Sequence, residues 1–324
     1  MKSLDEKLER IRAGRYVPAD FIIADAKDGD MGFGLPAPGP GAGGRSKTKA
    51  DYLDAMRAMT RSGLVDIMLM SASTAETLTG EGLFEGGPVT PAIRLNDTTD
   101  IWSQRGGSYK ASASRPFRTA SVPLAAPFAD LGLYSVTFMN DIERDLESLE
   151  AYRAFRTEAL AVGTRHFLEV FNPAFDIGIP ANGLGDYIND SIVRALAGVV
   201  SAEHPLFLKM QYNGARAMED LAAYDPARLV VGILGGAKGT TRDTFELVSQ
   251  AERHGARVAL FGRKINLAEA PVPLVEMMRR VVGGDIQPAE AVRAYHGALA
   301  RLNIAPSIAL ADDLAITDPV LKAG

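Results

Sequence analysis

The sequence predicts an α/β protein folded as a single (β/α)8, or TIM, barrel, and three observations carry that expectation. From residue 20 onward, short apolar runs alternate with longer amphipathic stretches, and eight such runs are present. Hydrophobic residues make up 47% of the 324, enough for one large core. Alternation of strand and helix means a parallel sheet, because parallel strands need crossover connections. Eight units favour a closed barrel, and barrels of about 250 residues or more run as one domain.

The elements follow in order. Residues 1–19 open with the charged pattern MKSLDEKLERIRAGRY, read as a helix ahead of the barrel. The barrel spans about 20–285, with strands expected at 21–25, 65–70, 92–96, 134–139, 167–171, 206–211, 229–234 and 258–262. Helical stretches are expected at 48–62, 141–162, 186–200, 242–254 and 274–282; the first carries Tyr52, Met56 and Met59 at helical spacing. Residues 286–324 add a helix over 288–302 and a tail. From Ala305 that tail mixes apolar and acidic residues, which suggests docking on a neighbour; a homo-oligomer is expected. No G-x-G-x-x-G motif follows the first strand: Gly32 and Gly34 sit in a Gly/Pro loop on which no helix opens, which disfavours a dinucleotide fold.

Two irregular segments interrupt the pattern. Residues 32–45 (GFGLPAPGPGAGGR) are rich in glycine and proline, and 97–123 is long, polar and holds the single tryptophan, Trp102. Both follow strands, so in a barrel both lie on the C-terminal face, where active sites form. They read as lids over a site, or alternatively as subunit contacts or plain disorder.

The net charge of −5 gives no electrostatic case for nucleic acid or an anionic membrane surface. The absence of cysteine excludes disulfides, thiolate catalysis and zinc–thiolate sites. The N-terminal stretch lacks the apolar run of a signal peptide, and no run of about 18 apolar residues exists to cross a membrane, so a cytoplasmic location is expected. The four histidines show no ligand spacing, so neither metal nor organic cofactor is expected.

The informative residues are the charges inside apolar strands, since burying an ionisable group is costly unless it is paired. The fifth run (166–172, HFLEVFN) carries Glu169, and the sixth (206–211, LFLKMQ) carries Lys209. Side chains alternate faces along a strand, so Glu169 and Lys209 occupy equivalent faces near the C-terminal ends of neighbouring strands. Desolvation disfavours the charged form of such a lysine and frees the amine to attack a carbonyl. A nearby carboxylate then moves protons. An ionised Glu169 would hold Lys209 protonated unless desolvation dominates, another cation lies close or the glutamate is protonated. A plain buried ion pair bracing the barrel is the alternative.

Acids after the first strand face the same cavity. Asp25, Asp28 and Asp30 compete; Asp25 continues the strand most directly, whereas Asp28 and Asp30 flank Gly29 as turn residues do. Arg94, at the end of the third strand, reads either as a substrate anion contact or as a structural cation for Asp25 or Glu169. Gly235 and Gly236 follow the seventh strand ahead of a helix, and Gly262 and Arg263 follow the eighth. Loops after these two strands are the recurrent phosphate site of the fold, where backbone N–H groups and a guanidinium meet an anion. Ordinary turn glycines beside a surface arginine give the same pattern.

On these residues the segment from about 167 to 282 resembles the class I, Schiff-base aldolases of the deoxyribose-phosphate and tagatose-bisphosphate aldolase superfamily. The matching pieces are 168–170 (LEV), 207–210 (FLKM), Gly235-Gly236 before a helix, and 261–265 (FGRKI) followed by Pro271. The resemblance implies that Lys209 is the Schiff-base residue. It places Glu169 and Asp25 as proton carriers and Gly235, Gly236, Gly262 and Arg263 as the phosphate site; Tyr134 or Thr137 is expected to assist. It implies a carbon–carbon lyase that needs no cofactor and acts on a small anionic carbonyl compound. The chain departs from the family in having no lysine on the fourth strand and a Gly/Pro run after the first. Other readings stay open: the same lysine used for acyl transfer, isomerisation or dehydration; a metal-dependent lyase with Asp25, Asp28 and Glu169 as ligands; or a non-catalytic sugar-phosphate binder.

Overall fold

Eight short, largely apolar runs pair side by side in parallel, as strands covered by helices outside and by each other inside must. They are β1 (Ile22–Lys27), β2 (Ile67–Met70), β3 (Thr90–Arg94), β4 (Leu131–Thr137), β5 (Arg165–Phe171), β6 (Leu208–Met210), β7 (Gly232–Leu234) and β8 (Val258–Phe261). In the computed structural model, which describes residues 1–101 and 103–322, they close in sequence order, with β8 returning to pair with β1. Trp102 and the last two residues of the C-terminal tail lie outside the described residues.

The helices outside the barrel are α2 (Lys49–Ser62), α3 (Ala72–Gly80), α4 (Ile142–Ala161), α5 (Leu184–Ala197), α6 (Ala215–Tyr224), α7 (Thr241–Arg253) and α8 (Pro271–Val282); α1 (Ser3–Arg12) precedes them and α9 (Pro288–Arg301) follows. Local chemistry fixes several starts. The Thr48 and Thr240 hydroxyls accept from the backbone N–H of Asp51 and Asp243, whose carboxylates reach back in capping boxes. The Asp141 carboxylate accepts from the N–H groups of Glu143 and Arg144. Helix α3 (ASTAETLTG) is short and built of small and polar residues, so its periodicity is weak in the sequence.

Two apolar layers result. Inside the barrel, Ile22, Ala24, Ile67, Leu131, Phe167 and Phe207 belong to one cluster, with the last two rings stacked at 4.6 Å. Leu4, Leu8 and Ile11 of α1 join that cluster, so the amphipathic face of α1 seals the N-terminal end of the barrel. Outside, Ile23, Met68, Tyr134 and Leu168 pack against the helices.

Strand β3 is not followed by a long helix. Residues 97–98 and 116–117 instead form a small antiparallel ribbon, and Val122–Ala125 is a single helical turn. The described part of the tail packs on its own barrel: Asp313 accepts from the Thr241 N–H and pairs with His296 at 2.8 Å, the Thr317 N–H donates to Asp243, and Leu321 is buried. Its acidic residues and threonine supply partners for α7 and α9, which explains the mixed composition. Among the described residues no helix is long and apolar enough to cross a membrane.

Candidate active site

The register of the barrel lines up a row of polar side chains. Ser135 on β4 is level with Glu169 on β5, and Glu169 is level with Lys209 on β6. All share the parity of the interior residues Leu133, Phe167 and Phe207, so they point inward. The Lys209 Nζ lies 2.6 Å from Glu169 Oε1. The other carboxylate oxygen accepts from Arg94 at 2.9 Å and from the Ser135 hydroxyl at 2.8 Å. Arg94 extends the network from β3: Nε donates to Asp28, and another guanidinium nitrogen reaches the Ser135 hydroxyl at 2.8 Å and Asp97 at 3.3 Å. Lys209, Glu169, Arg94, Asp28 and Asp97 are all buried.

These neighbours set the charge states. Burial works against the Arg94 charge, but Asp28, Asp97 and Glu169 outweigh it and hold its pKa well above the usual arginine value. Burial likewise pushes the Asp28 carboxyl up, and the positive charges of Arg94 and Lys209 reverse this to leave it below the usual range. For Asp97 burial wins over Arg94, and its pKa is pushed up to about 6.

Above the row opens a cavity of about 490 Å³, within the size range of small-molecule sites. Lys209, Glu169, Arg94 and Asp28 lie at its floor. Both irregular segments contribute to its walls: Phe33, Pro36 and Ala37 come from the Gly/Pro loop, and Ile101, Ser103 and Arg105 from the loop after β3. The two loops are tied together by the Ser103 N–H, which donates to the Gly32 carbonyl at 2.8 Å.

Gly235, Gly236, Gly262 and Arg263 also line the cavity. Gly236 has φ +65, a conformation that favours glycine. A Cβ on Gly235 would meet the Phe261 ring at 3.0 Å, so the chain can pass this close to β8 only without a side chain. Arg263 lies over the Phe33 ring at 5.5 Å and donates to the Gly236 carbonyl at 3.1 Å.

Two sequence expectations are corrected. Asp25 does not face the cavity. Strand β1 runs two residues further than expected, to Lys27, and its inward positions are Ala24 and Ala26; Asp28 continues that parity into the cavity. Asp25 and Lys27 point to the helix layer and pair there at 3.0 Å, where burial raises the Asp25 pKa. Asp30 sits to one side, bonded to Lys49 and Ser71. Tyr134 likewise faces outward and stacks on Phe155 at 4.4 Å. Thr137 does face inward, 3.3 Å from Asp100. Ser135, Asp97 and Arg105 were missed from the sequence. Ser135 had a signal, because the alternation of Ser135 and Thr137 within an apolar run marks the inward face. Asp97 and Arg105 had none, being two charges among many in an irregular segment.

No protein-family profile matches the chain. A 3-hydroxy-5-phosphonooxypentane-2,4-dione thiolase of Yersinia pseudotuberculosis is 24% identical over 176 residues, covering 49% of this chain and 60% of the relative. The chain therefore aligns with less than two thirds of that relative's length. Among solved structures, an archaeal fructose-1,6-bisphosphate aldolase with its catalytic lysine bound to the carbinolamine intermediate superposes with a TM-score of 0.61 and 16% identity, covering 86% of this chain and 99% of that one. A fructose-bisphosphate aldolase of Slackia heliotrinireducens gives 0.61 and 12%, covering 92% of each chain. This chain has the closed eight-stranded barrel fold of these two aldolases.

Proposed function

We propose that the chain is a class I aldolase-like lyase that forms a Schiff base between Lys209 and a small carbonyl compound carrying a phosphate or other anion. One observation carries the reading: Lys209 is buried and lines a cavity, with its amine on a carboxylate that Arg94 already engages. An amine attacks only when unprotonated. The carboxylate that faces Lys209 is not held by the lysine alone, since its other oxygen is taken by the Arg94 guanidinium and the Ser135 hydroxyl.

In this reading the Lys209 amine adds to the carbonyl carbon, Glu169 passes a proton to the departing oxygen, and loss of water leaves an iminium. A carboxylate then takes the proton of the β-hydroxyl. The C–C bond breaks, an aldehyde leaves, and the electron pair moves into the iminium to give an enamine. Protonation of the enamine carbon and addition of water release the second product and restore the amine. Asp28, whose pKa lies below the ordinary carboxylate range, is an anion in the cavity and takes the role the sequence assigned to Asp25. Gly235, Gly236, Gly262 and Arg263 are assigned to the anion. Among the described residues no group of three or more histidines and acids is arranged to hold a metal, and the carboxylates around Arg94 are engaged by its guanidinium.

The test is borohydride reduction in the presence of a panel of phosphorylated aldehydes and ketones, read by intact mass. A stable adduct is expected in the wild type and absent in Lys209→Ala. Adduct formation that persists in Lys209→Ala would overturn the assignment of the lysine. The similarity to a protein named as a thiolase favours one second reading, acyl transfer through the same lysine; analysis of the products of the trapped compound separates the two.

A further inference from the structure

The lining of the cavity is of three chemical kinds. Lys209, Glu169, Arg94 and Asp28 are charged and buried. Phe33, Ile101, Phe171, Leu234, Leu260 and Leu267 are apolar. Two polar side chains among them already donate to the backbone: the Ser103 hydroxyl to the Ile101 carbonyl and the Asn266 amide to the Ala37 carbonyl. Two exposed arginines, Arg105 and Arg263, complete the lining, and neither has a carboxylate partner among the described residues.

A hydroxyl held against the apolar side chains gives up water there, and burying an unbonded hydroxyl is unfavourable. A methylene at the same place gains by burial. We infer that the substrate has a reactive carbonyl at one end, a sparsely hydroxylated chain in the middle and an anion at the other end, held by Arg105 and Arg263. The cavity thus selects against polyhydroxylated sugar phosphates. The carbonyl end of this inference rests on the Schiff-base reading; the chain and anion do not.

Two probes of equal length test it. One is a six-carbon methyl ketone with a terminal phosphate and an unsubstituted chain. The other bears a hydroxyl on each intervening carbon. In borohydride trapping with the whole protein, the plain probe should reach half-saturation at a concentration at least about tenfold lower, an estimate set by the weak tolerance of apolar pockets for unmatched hydroxyls. Equal or better trapping of the hydroxylated probe overturns the proposal. Calorimetric titration with the two corresponding carbonyl-free phosphates, an alkyl phosphate and a hexitol phosphate, measures the same preference without the imine. Tighter binding of the alkyl phosphate with no covalent adduct from either ketone would sustain the cavity and sink the Schiff base. Equal binding of both phosphates counts against the cavity even if adducts form. Arg105→Gln should weaken the alkyl phosphate about tenfold and leave a neutral alkyl ketone unchanged; no change with the phosphate removes Arg105 from the anion site.

Discussion

Arg94 donates to Asp28, Asp97, Ser135 and Glu169 from a buried position on β3. Removing one partner of a buried charge network is costly because it leaves the others unpaired. Arg94→Met therefore should lower unfolding free energy by roughly 3–5 kcal/mol, measured by urea denaturation at neutral pH. Asp97 makes the opposite contribution. Its folded-state pKa of about 6 lies above the ordinary aspartate value, so the folded chain binds this proton more tightly than the unfolded chain. Stability from this group is present at low pH and declines as pH rises through about 4 to 6, by up to about 2–3 kcal/mol. In Asp97→Asn that decline should disappear; identical pH profiles for variant and wild type over this window would show that burial does not dominate at Asp97.

At the scale of the element, strand β1 decides which acid enters the cavity. Alternation puts Ala24, Ala26 and Asp28 on one side and Asp25 with Lys27 on the other. The two aspartates should therefore fail differently. Asp28→Asn leaves Arg94 with Asp97 and Glu169, so some stability should be lost, and the folded fraction is expected to lose about 10²-fold or more in turnover of any accepted substrate. Asp25→Asn strands the buried Lys27 charge, so it should cost several kcal/mol of stability while the folded fraction keeps its turnover. Turnover and thermal unfolding measured on both variants check this; loss of turnover in folded Asp25→Asn with none in Asp28→Asn would reverse the assignment. The acids 25, 28 and 30 were all legible as candidates, but the end of β1 was not. An extension of two residues depends on pairing with β2, where Lys27 is level with Met70, and single-strand composition does not report its partner.

For the whole molecule, the barrel has a working end and a sealed end. Helix α1 closes the N-terminal end through Leu4, Leu8 and Ile11 against the interior cluster. Leu8→Ala should destabilise the chain by about 2–5 kcal/mol, the cost of a buried leucine cavity. Because the site lies at the opposite end, borohydride trapping at a temperature where the variant is folded should be unchanged. A loss of trapping in folded Leu8→Ala would mean that the two ends are coupled. The tail adds to the same shell, since its contacts with Asp243 and Gln250 fasten it to α7.

The sequence by itself determined the barrel, its eight parallel strands and the pairing of Glu169 with Lys209. These follow from local apolar periodicity and from charges placed where apolar residues are the rule, and both are properties of short stretches read one at a time. Tertiary structure alone decided that Arg94 serves the carboxylates, that Asp28 rather than Asp25 enters the cavity, that Tyr134 stacks outside, and that two distant loops close over the site. Each of these depends on which side of a strand faces inward at a given register, or on contacts between segments far apart in the chain. Neither is encoded in the composition of one segment. The geometry of ring closure fixes them together.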